Sequence, residues 1–137
     1  MSKVFLGGTC NNSTWRNRLM PFLNVDYFNP VVEDWTPECM QNEINEKNIH
    51  CDVHLYVITQ RMTGVYSIAE LIDSCHTKDK STIFYLVKKG FDNTQIKSLN
   101  AVGSLVDSLG GLYITVDEFC DNEAKSLSEM LENIVGD

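Results

Sequence analysis

Ser81-Thr82-Ile83-Phe84-Tyr85-Leu86-Val87 is β-branched and aromatic throughout, and it is the clearest of five short strand signals in the chain. Val4 to Leu6, Val25 to Phe28, Leu55 to Thr59 and Leu112 to Val116 repeat that signal, and helical patterns fill the intervals. Trp15, Leu19, Met20, Phe22 and Leu23 recur at helical spacing after the first strand. Thr36 or Pro37 starts a polar helix through about Asn48, and a third helix follows Tyr66 to about Lys78. Asp92 caps a helix carrying Ile96, Leu99, Val102, Leu105, Val106 and Leu109, which ends at Gly110-Gly111. Leu127, Met130, Leu131, Ile134 and Val135 mark a C-terminal helix with one apolar face. Strands alternating with helices in this way predict a doubly wound, flavodoxin-like α/β fold, five parallel strands in the order 2-1-3-4-5 with helices on both faces. At 137 residues and 43% hydrophobic, one domain over residues 1–137 is expected.

That order fixes where a ligand is expected. Right-handed crossovers bring the loops after the first and third strands side by side at the switch point, where open α/β sheets bind their ligands. The first loop is Gly7-Gly8-Thr9-Cys10-Asn11-Asn12-Ser13-Thr14. Its glycines allow close backbone approach, and its hydroxyl and amide side chains suit an anion or a sugar hydroxyl near a helix start. The bland alternative is an ordinary strand-to-helix turn capped by Ser13 or Thr14. The second loop, Gln60 to Ser67, includes Gly64 and Tyr66 and runs into a helix that carries Glu70 early, beside Ile68, Leu71, Ile72 and Cys75. A carboxylate there meets either a substrate or merely the helix dipole, which would help keep it ionised. Asn29, Asp34 and Trp35, after the second strand, border the same cleft.

Charge and cysteine usage exclude several classes. A formal net charge of −8 without a basic stripe argues against a nucleic-acid polymer as partner. No apolar run approaches the ~20 residues of a membrane span, and Met1-Ser2-Lys3-Val4-Phe5-Leu6 turns polar too soon for a signal peptide. The 5 cysteines are odd in number, with no C-x-x-C pair, so reduced thiols and a cytoplasmic protein are expected. His50, Cys51 and His54, or Cys75 and His76, do not supply a closed ligand set at zinc spacing, so no metal is expected.

Phe5-Leu6-Gly7-Gly8-Thr9, Trp15-Arg16, Asn29-Pro30 with Asp34-Trp35, and Tyr66-Ser67-Ile68-Ala69-Glu70-Leu71 stand in the order and spacing that resembles the nucleoside 2-deoxyribosyltransferase-like proteins. That superfamily includes the 2'-deoxynucleoside 5'-phosphate N-hydrolases. The likeness covers roughly residues 3 to 87 and implies the same flavodoxin-like fold. It implies the nucleophilic glutamate at Glu70, sugar and base contacts at Gly7, Gly8 and Thr9, and a second acid nearest to Glu43. It also implies a homodimer or larger even oligomer in which neighbouring subunits complete the site. Gly64 departs from the pattern: transferases carry an aspartate there and phosphate-binding hydrolases a serine, and Thr63 or Ser67 are the nearby substitutes.

The chemistry implied is cleavage or transfer at the N-glycosidic bond of a nucleoside or nucleotide, without a cofactor. A carboxylate beneath the anomeric carbon stabilises an oxocarbenium-like state or adds to it, and the departing base takes a proton from Glu43 or Asp34. Trp15 or Trp35 is available to stack on the base, with core packing an equal alternative. Arg16 is available for a 5'-phosphate, with a solvated first-turn arginine as its alternative. The chief rival is a non-catalytic module that binds nucleotides or NAD-derived ligands in the same cleft. A flavodoxin-type FMN protein is disfavoured, because Gly7-Gly8 and Cys10-Asn11-Asn12 interrupt the hydroxyl-rich phosphate turn.

Overall fold

The computed structural model describes residues 2–10, 13–31, 36–62 and 64–136. Strands β1 (Lys3–Gly8), β2 (Asp26–Phe28), β3 (Val53–Ile58), β4 (Ser81–Val87) and β5 (Leu112–Val116) form one all-parallel sheet in the order β2-β1-β3-β4-β5. This is the predicted flavodoxin-like arrangement. β3 and β4 are buried along almost their whole length, which is why both faces of each read as apolar.

Alternation along the strands sorts side chains into two cores. Val4, Leu6, Leu55, Val57, Ile83 and Tyr85 point to the face covered by α1 (Trp15–Leu19) and α5 (Asp121–Gly136), where they meet Leu19, Leu127 and Leu131. Phe5, Tyr56, Ile58, Phe84 and Leu86 point to the opposite face, covered by α3 (Tyr66–His76) and α4 (Asn93–Ser108), where they meet Leu71, Leu99 and Val106. Helices on both faces are what right-handed crossovers dictate for this order.

Element ends follow local chemistry. Asp92 and Gln95 form a reciprocal capping box at the start of α4. Thr36 accepts the Cys39 amide at 3.2 Å and Pro37 occupies the first turn, starting α2 (Pro37–Asn45). β1 runs on through Gly7 and Gly8, which were expected in the first loop, and three helix boundaries also differ from expectation. α1 is only five residues long and passes into a 3₁₀ turn at Met20–Phe22, because Pro21 has no N–H to return to Asn17. The α-helix expected to reach Asn48 stops at Asn45 and continues as a π-helical turn over Glu46–His50, closed by the Cys51 amide on the Glu46 carbonyl at 2.8 Å. α3 ends at His76, two residues short of Lys78.

Candidate active site

A cleft of about 350 Å³ opens beyond the carboxyl ends of β1 and β3, within the size range of small-molecule sites. Its floor is Phe5, Gly7 and Gly8 at the end of β1. At Gly8 the backbone takes φ +110°, and a Cβ would lie 2.1 Å from the Val57 carbonyl oxygen, so no side chain fits between these strands. Pro30 and Val31 form one wall, and Tyr66 of α3 stands exposed at the mouth. Met40, Glu43, Ile44 and Lys47 form the other wall, spaced i, i+3, i+4 and i+7 across α2 and the π turn.

Two carboxylates converge inside. Glu70 and Glu43 both line the cleft, and the charge of Glu70 acts on Glu43. Lys47 Nζ donates to Glu70 Oε2 at 3.3 Å, and the two side chains are only 9% and 13% exposed. Glu43 makes no ion pair among the described residues. Burial raises both carboxyl pKa values above the ordinary carboxylate range. For Glu70 the ammonium and hydrogen bond of Lys47 oppose that rise, while Asp73 adds to it. For Glu43 the charge of Glu70 adds to the rise, and Lys47 and Arg16 oppose it. The expectation that the helix dipole keeps Glu70 ionised is therefore corrected. Glu70 is the fifth residue of α3, beyond the first turn where the dipole acts, and Lys47 supplies the charge that resists desolvation.

The residues singled out from sequence divide into four groups. Gly7, Gly8, Arg16, Glu43, Tyr66 and Glu70 line the cleft together. Thr9, Trp15 and Asn29 support it without lining it. The Thr9 hydroxyl accepts the Thr59 amide at 3.0 Å, pinning the first loop to the end of β3. Trp15 is 3% exposed in the core and donates its indole N–H to the Thr9 carbonyl at 3.0 Å. Asn29 Oδ1 accepts the Val31 amide at 3.1 Å, turning Pro30 and Val31 toward the cleft. Gly64 is exposed with open space where a Cβ would sit, and Ser67 is half-buried beside the cleft lining. Asp34, Trp35 and Thr63 lie outside the described residues.

Arg16 is no solvated arginine. It is 4% exposed, and its guanidinium donates to the carbonyls of Leu6 at 2.9 Å, Thr9 at 2.8 Å and Gly8 at 3.5 Å while stacking over the Trp15 ring. Neither Ser13 nor Thr14 is needed to explain the turn, since α1 has no side-chain cap. Lys47 is the charged residue of the cleft lining that sequence reasoning missed. Its i+4 spacing from Glu43 was the available signal, but a polar helix with an exposed lysine has the same pattern.

A second cleft of about 380 Å³ lies along the ends of β3, β4 and β5, with Trp15, Arg61 and Lys89 in its lining. Its one carboxylate, Glu118, pairs with Lys89 at 3.2 Å. Facing carboxylates in a partly apolar enclosure occur only in the first cleft among these two. No group of three or more His, Cys, Asp or Glu among the described residues is arranged to hold a metal ion, and none of their helices is long and apolar enough to cross a membrane.

A sequence-family profile described as "Nucleoside 2-deoxyribosyltransferase like" matches residues 1–91. The match spans every residue lining the first cleft and two thirds of the chain, and the chain belongs to that family. No curated protein and no solved structure gives a match.

Proposed function

Taking that family membership as premise, we propose that the protein cleaves or transfers the N-glycosidic bond of a small-molecule nucleoside or nucleotide, with Glu70 as nucleophile. The observation that carries this reading is the pairing of two half-buried carboxylates with one buried cation in a single cleft. Lys47 sits on Glu70 and leaves Glu43 without an ion pair among the described residues, which favours the charge on Glu70 and the proton on Glu43. Glu70 adds to the anomeric carbon, or stabilises it as an oxocarbenium, while the base departs with the proton of Glu43. Water attack on the sugar then gives hydrolysis, and attack by a second base gives transfer. Val31, Met40, Ile44 and Tyr66 at the mouth offer apolar surface for the base. Gly7 and Gly8 let the sugar lie against backbone.

Chromatography for base released from deoxynucleosides, their 5'-monophosphates and NAD tests the reading. Glu70→Gln is expected to lower turnover by about 10³-fold or more while ligand still binds. Binding without release from any of these substrates supports the non-catalytic alternative, which the exposed Gly64 at the departure from the family pattern favours.

The same proposal includes a cytoplasmic homodimer or larger even oligomer. The odd number of cysteines, with no C-x-x-C pair, supports the compartment. Val65, Ile68 and Ile72 at the start and along α3, with Leu99 and Val102 of α4, line an apolar groove of about 490 Å³, which supports self-association. Light scattering at micromolar concentration should give at least twice 15.5 kDa, and a mass equal to 15.5 kDa refutes it.

A further inference from the structure

A buried polar chain behind the cleft has no part in the chemistry above. His54 and Tyr56 are fully buried on the α3 face of β3, and both reach Ser74 of α3. His54 Nδ1 lies 2.8 Å from Ser74 Oγ, and His54 Nε2 lies 2.7 Å from the Lys47 carbonyl oxygen. Tyr56 Oη lies 2.6 Å from Ser74 Oγ.

Hydrogen-bond arithmetic gives this chain one direction. The Lys47 carbonyl can only accept, so Nε2 carries the proton. Burial pushes the imidazole down to about 4, so the ring is neutral and Nδ1 accepts from the Ser74 hydroxyl. Ser74 Oγ in turn accepts from Tyr56 Oη–H, and every member is satisfied. The Lys47 carbonyl belongs to the last turn of its helix, where carbonyls lack helical partners. The amides that follow are engaged elsewhere, Cys51 at the Glu46 carbonyl and Asp52 at the Lys3 carbonyl. His54 thus ties the π turn to the sheet. Ser74 stands four residues after Glu70, one turn along the same helix. The chain therefore joins the element carrying Lys47 to the element carrying Glu70.

We propose that His54, oriented by Ser74 and Tyr56, is the positioning residue of this site, holding the π turn so that the Lys47 ammonium rests on the Glu70 carboxylate. Its meaning for catalysis rests on the reading of Glu70 as nucleophile, but the geometry is testable without turnover. The charged and titratable groups around Glu70 are Lys47 on the π turn, Glu43 on α2, Tyr56 on β3 and Asp73 on its own helix. Those around His54 are Lys47 and Lys80. Of these, only Lys47 depends on the His54 hydrogen bond for its backbone position.

The test is the titration of the Glu70 side-chain carboxyl, followed by carbon NMR in the ligand-free protein. Lys47→Met should raise its midpoint by about one pH unit or more, because an opposite charge in contact is lost. His54→Leu should reproduce at least half of that rise. His54→Gln, whose amide nitrogen reaches the place of Nε2, should restore most of the wild-type value. Ser74→Ala frees the imidazole from its orienting donor and should give an intermediate rise; it also serves if His54→Leu does not fold. Should a nucleoside substrate be turned over, the acidic limb of kcat/KM moves to higher pH in the same order. A wild-type titration in His54→Leu, or in Ser74→Ala where the former is unfolded, overturns the proposal, as does an unmoved titration in Lys47→Met. A protein that releases no base yet shows these shifts keeps this inference and loses the catalytic one.

Discussion

Replacing Arg16 by Met tests whether the first loop is held by a buried cation. Methionine fills much of the arginine's length but offers no donor to the carbonyls of Leu6, Gly8 and Thr9. Two of the lost bonds are short, at 2.9 and 2.8 Å, and the third is marginal at 3.5 Å. Charge-assisted bonds contribute about 1.5–3 kcal/mol each, so two of them amount to about 3–6 kcal/mol. Relief of the guanidinium's desolvation offsets part of this, leaving a net loss of about 2–4 kcal/mol. At about 3–4 °C per kcal/mol for a chain of this size, Tm should fall by roughly 6–16 °C. Urea denaturation at neutral pH is the assay, with tryptophan emission as probe because Trp15 stacks on the guanidinium. Arg16→Lys should recover less than half of the loss, since one ammonium cannot span three carbonyls as the fork does. A Met variant within about 0.5 kcal/mol of wild type would refute the reasoning and show that the desolvation of the guanidinium cancels its hydrogen bonds.

Glu43→Gln should stabilise the protein above the ordinary carboxylate range and not below it. Burial and Glu70 raise the native pKa of Glu43, so the native state binds its proton more tightly than the unfolded chain does. The ionised form therefore costs stability above that raised pKa, and the cost disappears as pH falls through it. Denaturation midpoints at about pH 8 and about pH 4 check this; an equal gain at both pH values would sink it. Gly8→Ala should lower stability by at least about 2 kcal/mol, because an alanine at φ +110° drives its Cβ into the Val57 carbonyl. Wild-type melting behaviour in that variant would show that the strand ends separate more easily than their packing suggests.

The order of elements was legible because its causes are local. Ser81 to Val87 reads as a strand from its own residues, and Asp92 with Gln95 reads as a helix start from a three-residue spacing. Strand order followed from the alternation of strands and helices, and right-handed crossovers then brought Gly7, Gly8 and Glu70 to one cleft. Other features required the folded chain. Pro21 cuts α1 short by chemistry visible in sequence, yet whether Arg16 faces water or the loop carbonyls depends on how α1 packs against the end of β1. The π turn at Glu46–His50 has no composition signal, since its Lys47 carbonyl is satisfied by His54 of β3 and the Asp52 amide that follows it by the Lys3 carbonyl. Sequence decided that Glu70 would lie at the edge of the sheet. Only tertiary structure decided that it would be buried against Lys47 and opposite Glu43, because desolvation and charge proximity are properties of the space between elements and not of any one of them.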